Sequence, residues 1–105
     1  MELTFEPLQR EDLAACYALC LKSFSESVPL EEVEQTFALC SRDPSYRLVV
    51  GKLDGRVVTY ATLHFFHTVF DGMRPMATIW YVCVDPAYRS RGIGKALFAE
   101  LCRIC

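Results

Sequence analysis

The sequence predicts a single α/β domain in which a mixed, largely antiparallel sheet is flanked by helices. Apolar residues follow a two-residue period near the N-terminus, a helical period up to about residue 40, and strand-like runs beyond it. The dipeptide Asp54-Gly55 separates two of those runs and is a strong hairpin signal. A chain of 105 residues has room for one modest core, so residues 1–105 are expected to form one domain.

The N-terminal part is predicted to hold one strand and two helices. Alternating apolar and polar residues at 2–6 predict the strand. Ser27 is expected to cap the second helix, with Pro29 in its first turn, and Asp43-Pro44 ends that helix. The expected apolar stripes are Leu13, Cys16, Tyr17, Cys20 and Phe24 on the first helix, and Leu30, Val33, Phe37 and Cys40 on the second.

Three strands and a helix are predicted to follow. Residues 46–53, 57 to about 69, and 76–84 are rich in β-branched and aromatic residues, and the first two runs should pair antiparallel. The third run is apolar on both faces. The final segment, 93–105, has a helical stripe of Ile93, Ala96, Leu97, Leu101 and Ile104, which Phe98, Cys102 and Cys105 widen sideways.

The composition excludes several kinds of partner and location. A net charge of -2 lacks the basic excess that nucleic-acid binding needs. No apolar run approaches the roughly 20 residues of a membrane span, and the N-terminus lacks the pattern of a secretion signal. We therefore expect a cytoplasmic protein with no nucleic-acid or membrane partner, whose six cysteines stay reduced.

The segment 82–97 is the candidate functional motif. A buried strand ends, a proline-led turn follows, and a helix begins with Gly92 and Gly94 two residues apart. Free N–H groups at a helix start form an anion site, and these glycines let the backbone come close to a phosphate. Arg89, Arg91 and Lys95 add positive charge, so the expected ligand is a pyrophosphate.

Two other phosphate-binding loops fit this segment less well. A Walker loop needs Ser or Thr where this chain has Ala96, and a glycine where it has Arg89. A dinucleotide fingerprint needs a third glycine at Leu97 and an acidic residue about twenty positions further on. Neither class of nucleotide site is predicted.

The run Val84-x-Pro86, Arg89-x-x-Gly92-x-Gly94 and Leu97 resembles the coenzyme A signature of the GNAT N-acetyltransferase superfamily. The predicted order of strands and helices also resembles that family's acyl-CoA N-acyltransferase fold. The resemblance implies acetyl transfer from acetyl-CoA to an amine on a small molecule, peptide or protein. It also implies a set of cosubstrate-binding residues: Val82, Cys83 and Val84 beside the pantetheine arm and thioester, and Arg89, Ser90, Arg91, Gly92, Ile93, Gly94 and Lys95 around the pyrophosphate.

The mechanism that the resemblance implies is direct attack of a neutral amine on the thioester. A base or ordered water takes the proton, and a backbone N–H, for which Val82 is the candidate, stabilises the oxyanion. Many relatives place an acidic residue where this chain has Trp80 or Tyr81, so the sequence assigns no general base.

The family's fold continues beyond its third main helix with a strand, a helix and a hairpin. The chain is therefore expected to be the N-terminal and central part of such a domain. The alternative function is a non-catalytic module that binds coenzyme A or associates with a partner. A strand apolar on both faces and a last helix apolar on two sides predict association, including a homo-oligomer through the open sheet edge.

The cysteines and histidines are interpreted as packing residues. Cys102 and Cys105 have redox-motif spacing but no thioredoxin-like context. His64 and His67 face opposite sides of one strand, so no metal site is expected. A role for Cys83 as an acyl-carrying nucleophile is disfavoured because no histidine lies nearby in the sequence. Core or acceptor-pocket positions are expected for the aromatic residues Tyr60, Phe65, Trp80 and Tyr81.

Overall fold

The computed structural model describes residues 2–24 and 28–105, and within them the predicted order of elements is confirmed. The strands are β1 (Leu3–Pro7), β2 (Tyr46–Leu53), β3 (Arg56–His67) and β4 (Pro75–Val84). The helices are α1 (Leu13–Ser23), α2 (Leu30–Ser41) and α3 (Ile93–Ile104). Three short 3-10 turns lie at Arg10–Asp12, Val69–Asp71 and Pro86–Tyr88.

The four strands form one sheet in the order β1-β2-β3-β4, and all three pairings are antiparallel. The predicted hairpin turn joins β2 to β3, with Asp54 at φ 50° and Gly55 at φ 80°. Positive φ at both central residues is what a type I′ hairpin turn requires. Because β4 pairs only with β3 among the described strands, its outer edge is open.

Besides one-residue shifts at the ends of β1, β3, β4 and α3, two differences from the sequence-based expectation have an evident local cause. β3 was expected to reach about Val69 but ends at His67, because the chain turns where the Thr68 hydroxyl donates a hydrogen bond to the Asp71 carboxylate (2.7 Å). Pro29 precedes the first helical residue of α2 instead of lying in its first turn. The predicted cap, Ser27, lies outside the described residues.

Helices cover both faces of the sheet. On one face α1 packs through Leu13, Cys16 and Leu19 in a cluster with Leu8, Val50, Val57, Tyr60 and Cys83. On the other face, Leu97 and Leu101 of α3 pack against Val49, Ala61 and Leu63. These two layers place the C-terminal end of α1 and the N-terminal end of α3 on opposite sides of β4.

The apolar stripe of α2 is less buried than the sequence predicted. No residue of α2 is fully buried, and Val33 and Phe37 pack only partly against the cluster under α1. The reason is position: α2 contacts α1 and β2 at the margin of the sheet, so its apolar side is covered from one direction. No helix of the described ranges has the length and apolar character to cross a bilayer.

Candidate functional site

β4 carries a β-bulge shortly before its end. Tyr60 pairs with Cys83 and Thr62 pairs with Trp80, so Ala61 alone faces both Tyr81 and Val82. Tyr81 has a φ of 55°, a left-handed conformation that a bulky residue rarely adopts. Bulges bend a strand and redirect its side chains, and they are frequent beside functional sites. This distortion therefore marks the open edge of β4 as a candidate site.

The end of β4 directs a backbone donor toward its open edge. The Asp85 N–H donates to the Val58 carbonyl at 2.7 Å, which fixes the direction of the last bond between the two strands. Because N–H groups of successive residues point to opposite sides of a regular strand, the Val84 N–H points away from β3. Val84 thus offers a hydrogen bond to a molecule lying along the edge, and Val82 lies within the bulge beside the same edge.

Asp85 fixes the turn that leads from β4 to α3. Its carboxylate accepts a hydrogen bond from the Ala87 N–H (3.0 Å), and its carbonyl accepts one from the Tyr88 N–H (2.8 Å). Lys22 Nζ on α1 lies 3.6 Å from the same carboxylate. Sequence reasoning did not single out Asp85, although an Asp before Pro at the start of a turn is a recognised capping signal.

The loop before α3 is shaped by two left-handed residues, Ser90 (φ 66°) and Gly92 (φ 76°). The first hydrogen bond of the helix runs from the Ala96 N–H to the Gly92 carbonyl (3.0 Å). The N–H groups of Ile93, Gly94 and Lys95 therefore have no partner within the helix. Together with the positive end of the helix dipole, they form an anion-binding arrangement.

The two glycines of the motif are constrained differently. Gly92 needs its positive φ, which side chains other than hydrogen disfavour. At Gly94 a Cβ atom would meet Val84 Cγ2 at 3.9 Å, an ordinary contact distance. Packing within the chain therefore does not require glycine at position 94, whereas close approach of a ligand to the backbone there would.

A cleft of about 480 Å³ lies between the end of α1, the open edge of β4 and the start of α3. Most of the predicted cosubstrate residues line it: Val82, Cys83, Val84, Arg89, Ser90, Gly92, Ile93 and Gly94. Arg91 and Lys95 do not line the cleft; both are exposed, and the Arg91 guanidinium lies 5.4 Å from the centre of the Tyr88 ring. Sequence reasoning missed four lining residues: Ser23, Phe24, Tyr88 and Phe98. Of these, Tyr88 lay inside the candidate motif 82–97, and Phe24 and Phe98 were recognised only as apolar residues of their helices, whereas Ser23 had no signal.

The loop before α3 and the first turn of α3 carry positive charge that is unpaired among the described residues. Among residues 2–24 and 28–105, the cations Arg89, Arg91 and Lys95 have no carboxylate within 4.0 Å. Arg56 donates a hydrogen bond to the Tyr88 hydroxyl (3.3 Å), and this bond raises the pKa of Arg56. A polyanion would find unpaired positive charge next to the free N–H groups of α3.

Two large aromatic side chains stand exposed where β4 is distorted. Trp80 is 57% and Tyr81 59% exposed, so a core position is wrong for both, because β4 is an edge strand and the bulge turns Tyr81 outward. Contacts nevertheless orient both side chains. Trp80 Nε1 donates a hydrogen bond to Thr78 Oγ1 at 2.9 Å, and the Tyr81 ring packs edge-on against the Phe24 ring, with 5.2 Å between the ring centres. Tyr60 is buried, as expected for a core residue, and Phe65 is partly buried against α3.

The titratable groups near the cleft do not include an evident base. No carboxylate or imidazole is found among the described residues that line it. Burial raises the pKa of Tyr60, and the influence of the Cys20 side chain together with burial raises the pKa of the Cys83 thiol. A buried, protonated Cys83 is a poor nucleophile, in agreement with the sequence-based interpretation.

The remaining candidates stay apart from the cleft. The His64 ring packs against the rings of Tyr46 and Phe66, with distances between ring centres of 4.6 Å and 5.9 Å. His67 is exposed. Cys102 and Cys105 are free thiols exposed at the end of α3. Within the part of the chain that the structure describes, no group of three or more His, Cys, Asp or Glu side chains could hold a metal ion.

Comparison with known proteins identifies the family. Residues 13–105 match the profile of the Acetyltransferase (GNAT) family. A glucosamine 6-phosphate N-acetyltransferase of Trypanosoma brucei brucei is 32% identical over 107 residues, which cover 99% of this chain and 72% of that protein. A crystal structure of a Trypanosoma brucei acetyltransferase matches with a TM-score of 0.83 and 28% identity, over 98% of this chain and 74% of the other. Glucosamine-6-phosphate N-acetyltransferase from Arabidopsis thaliana shares the fold, with a TM-score of 0.84 and 18% identity over 100% of this chain and 75% of its own. The chain belongs to the GNAT acetyltransferase family.

Proposed function

We propose that this chain binds acetyl-CoA in the cleft beside β4 and transfers its acetyl group to a primary amine. The observation that carries the proposal is the meeting of two sets of backbone donors at one cleft, the open edge of β4 and the start of α3. Acetyl-CoA has an extended amide-bearing arm and a pyrophosphate, which suit these two sets respectively. The GNAT family uses acetyl-CoA in general.

The proposed pyrophosphate site is the loop before α3. The N–H groups of Ile93, Gly94 and Lys95 would bind phosphate oxygens, and Arg89, Arg91 and Lys95 would supply the opposing charge. The pantetheine arm would lie along the edge of β4, where its amides meet the backbone of Val82 and Val84. Phe98 would cover the arm from the α3 side.

The proposed chemistry is a direct acyl transfer. A neutral amine attacks the thioester carbonyl, a new C–N bond forms, and the C–S bond breaks to release the coenzyme A thiol. The Val82 N–H is the candidate donor to the developing oxyanion, because it lies at the bulge, beside the open edge of β4. The proton from the amine would leave through an ordered water.

For the acceptor we propose an amino-sugar phosphate. The Trypanosoma brucei brucei relative is a glucosamine 6-phosphate N-acetyltransferase. Trp80 is exposed, oriented by its bond to Thr78, and two residues from Val82, so its indole face could stack on a sugar ring beside the thioester.

Trp80 also allows a direct test of the acceptor, because it is the only tryptophan in the chain. In the presence of coenzyme A, glucosamine 6-phosphate should change the emission of Trp80 in a saturable way. Inorganic phosphate, which lacks the ring, should leave the emission unchanged. An identical response to both ligands, or to neither, would contradict the proposed acceptor.

Activity separates the enzyme from the alternative, a non-catalytic coenzyme A-binding module. That alternative is favoured by one observation, the absence of a carboxylate or imidazole among the described residues of the cleft. A panel of primary amines with acetyl-CoA, followed by release of free thiol, should show turnover with at least one amine. Tight binding of acetyl-CoA without turnover on any amine would favour the module.

A further inference from the structure

Two arginines from distant parts of the chain are held against one aromatic side chain beside the cleft. Arg56 begins β3, and its Nη1 donates a hydrogen bond to the Tyr88 hydroxyl (3.3 Å). Arg91, in the loop before α3, has its guanidinium 5.4 Å from the centre of the Tyr88 ring, within the range of a cation–π contact. Tyr88 is half-buried and lines the cleft. Arg56, Tyr88 and Arg91 are called the Tyr88 cluster below.

The Tyr88 cluster holds two positive charges without an acidic partner among residues 2–24 and 28–105. Within these ranges no carboxylate lies within 4.0 Å of Arg56 or Arg91. The Asp85 carboxylate pairs with Lys22 Nζ at 3.6 Å, and it raises the pKa of Arg56 less than the bond to Tyr88 does. Because the two guanidiniums repel each other, an anion bound next to both would be favourable.

Tyr88 orients the guanidinium groups before any ligand binds. Tyr88 packs against the buried cluster of Leu53, Val58 and Ile93, so its ring is fixed beside the start of α3. The bond to Arg56 uses one of the five N–H donors of a guanidinium, and a bidentate contact with phosphate needs two. Arg56 can therefore keep its bond to Tyr88 and still bind a phosphate group through a fork of two donors.

The Tyr88 cluster lies at the far end of the path proposed for acetyl-CoA. Thr62 pairs with Trp80 near the bulge, and Thr59 pairs with Val84 at the end of β4. Arg56 comes three residues before Thr59 on β3, which places it roughly 10 Å further from the bulge at the rise of a strand. A ligand with its thioester at the bulge and its pyrophosphate at the start of α3 would therefore have its remaining part near Arg56.

We propose that Arg56 and Arg91 bind the 3′-phosphate of coenzyme A and make the protein select coenzyme A over dephospho-coenzyme A. The inference rests on the proposed function, because it extends the same ligand beyond its pyrophosphate. The 3′-phosphate is a monoester with about two negative charges at neutral pH, and it lies at the end of coenzyme A opposite the thiol. Arg91 would then add charge to both phosphate groups. Arg56 lies outside the motif 82–97, and only the pairing of β3 with β4 brings it to the site.

Calorimetry on the full chain with coenzyme A and dephospho-coenzyme A tests the inference, because the two ligands differ only in the 3′-phosphate. The wild-type chain should bind coenzyme A about tenfold more tightly. Arg56→Gln keeps a side-chain donor for Tyr88 and removes the charge, so the ratio of the two affinities should fall to about twofold. The affinity for dephospho-coenzyme A should hardly change, which would show that the variant is folded and that its pyrophosphate site is intact.

Two further variants separate the cluster from general effects of charge. Arg47→Gln is the matched control, because Arg47 is an exposed arginine of β2 that does not line the cleft. It removes the same charge and should keep the wild-type ratio. Tyr88→Phe removes the acceptor for Arg56 but leaves the ring beside Arg91, so its ratio should lie between those of wild type and Arg56→Gln.

Equal affinity of the wild-type chain for the two ligands, or an unchanged ratio in Arg56→Gln, would overturn the inference and leave the proposed function standing. A ratio that falls as far in Arg47→Gln as in Arg56→Gln would also overturn it, because the effect would then come from net charge. Failure of the wild-type chain to bind either ligand would count against the proposed function, and the inference would fall with it.

Discussion

At the scale of single residues, the most informative features are two backbone conformations that are unfavourable in free energy. Tyr81 and Ser90 have positive φ without being glycine, at 55° and 66°. Such conformations cost of the order of 1–3 kcal/mol and persist where surrounding structure holds them, often at functional sites. Both residues flank the same cleft, one in the bulge and one in the loop before α3. Nothing in the sequence signals either, because Tyr and Ser carry no preference for this conformation.

Tyr60 is expected to make the free energy of unfolding depend on pH. Burial raises the pKa of Tyr60 above its usual value of about 10. A group whose pKa is higher in the folded protein contributes stability below the unfolded pKa and loses it as pH rises toward the folded value. Wild-type protein should therefore lose free energy of unfolding above about pH 10, and Tyr60→Phe should lose less over the same range.

Urea unfolding of both proteins at pH 7 and pH 10.5 measures that difference. At pH 7 the variant should be less stable by about 1 kcal/mol, because Thr62 loses its hydrogen bond to Tyr60. Equal losses of stability in the two proteins at high pH would show that Tyr60 is not the group responsible.

At the scale of elements, the sequence predicted most of the fold and little of its distortion. The turn at Asp54-Gly55 located the β2–β3 hairpin, because both positions favour positive φ. The bulge in β4 could not be predicted, since it depends on a register mismatch between β3 and β4, and the exposure of Trp80 depends on β4 being an edge strand. The shallow burial of α2 could not be predicted, because helical periodicity shows which side of a helix is buried but not how deeply.

For the candidate site, the sequence located the loop before α3 but not the residues that α1 contributes to the cleft. The Gly92 and Gly94 pair located the loop before α3, because an anion-binding loop needs glycine at defined places. Phe24 and Ser23 were missed because they reach the cleft only through the packing of α1 on the sheet.

The turn between β4 and α3 supplies a prediction about one element. Asp85→Ala should lower the free energy of unfolding by about 1–2 kcal/mol, because the Ala87 N–H loses its acceptor. Asp85→Asn is the matched control: it keeps an acceptor oxygen and removes only the charge facing Lys22, so it should cost less. If Asn costs as much as Ala in urea unfolding, the charge pair and not the cap holds the turn.

At the scale of the whole molecule, the apolar surface is unevenly covered. Among the described residues, the outer part of β4 and the adjacent side of α3 expose Met76, Ile79, Trp80, Tyr81 and Phe98. An open strand edge with apolar side chains is a surface on which proteins associate. Association with a second copy through this edge remains a prediction.

Ile79→Lys tests that association, because Ile79 is 42% exposed on β4 and does not line the cleft. Light scattering of the wild-type chain should show a mass that rises with concentration, and the variant should remain a monomer over the same range. Val69→Lys, at an exposed apolar residue outside the strands, is the control and should behave like wild type. A wild-type chain that stays monomeric throughout would contradict the prediction.

The most direct test of the central claim, binding of acetyl-CoA at the cleft, is calorimetry on substitutions of Gly94. A methyl group fits there, so Gly94→Ala should keep the fold and stay within a few-fold of wild-type affinity. Gly94→Leu uses a good helix former but fills the space where the pyrophosphate would lie, so binding should weaken by at least about a hundredfold, a loss of about 2.7 kcal/mol. Circular dichroism should show both variants folded. Equal affinity of the Leu and Ala variants, or no binding by the wild-type chain, would contradict the account.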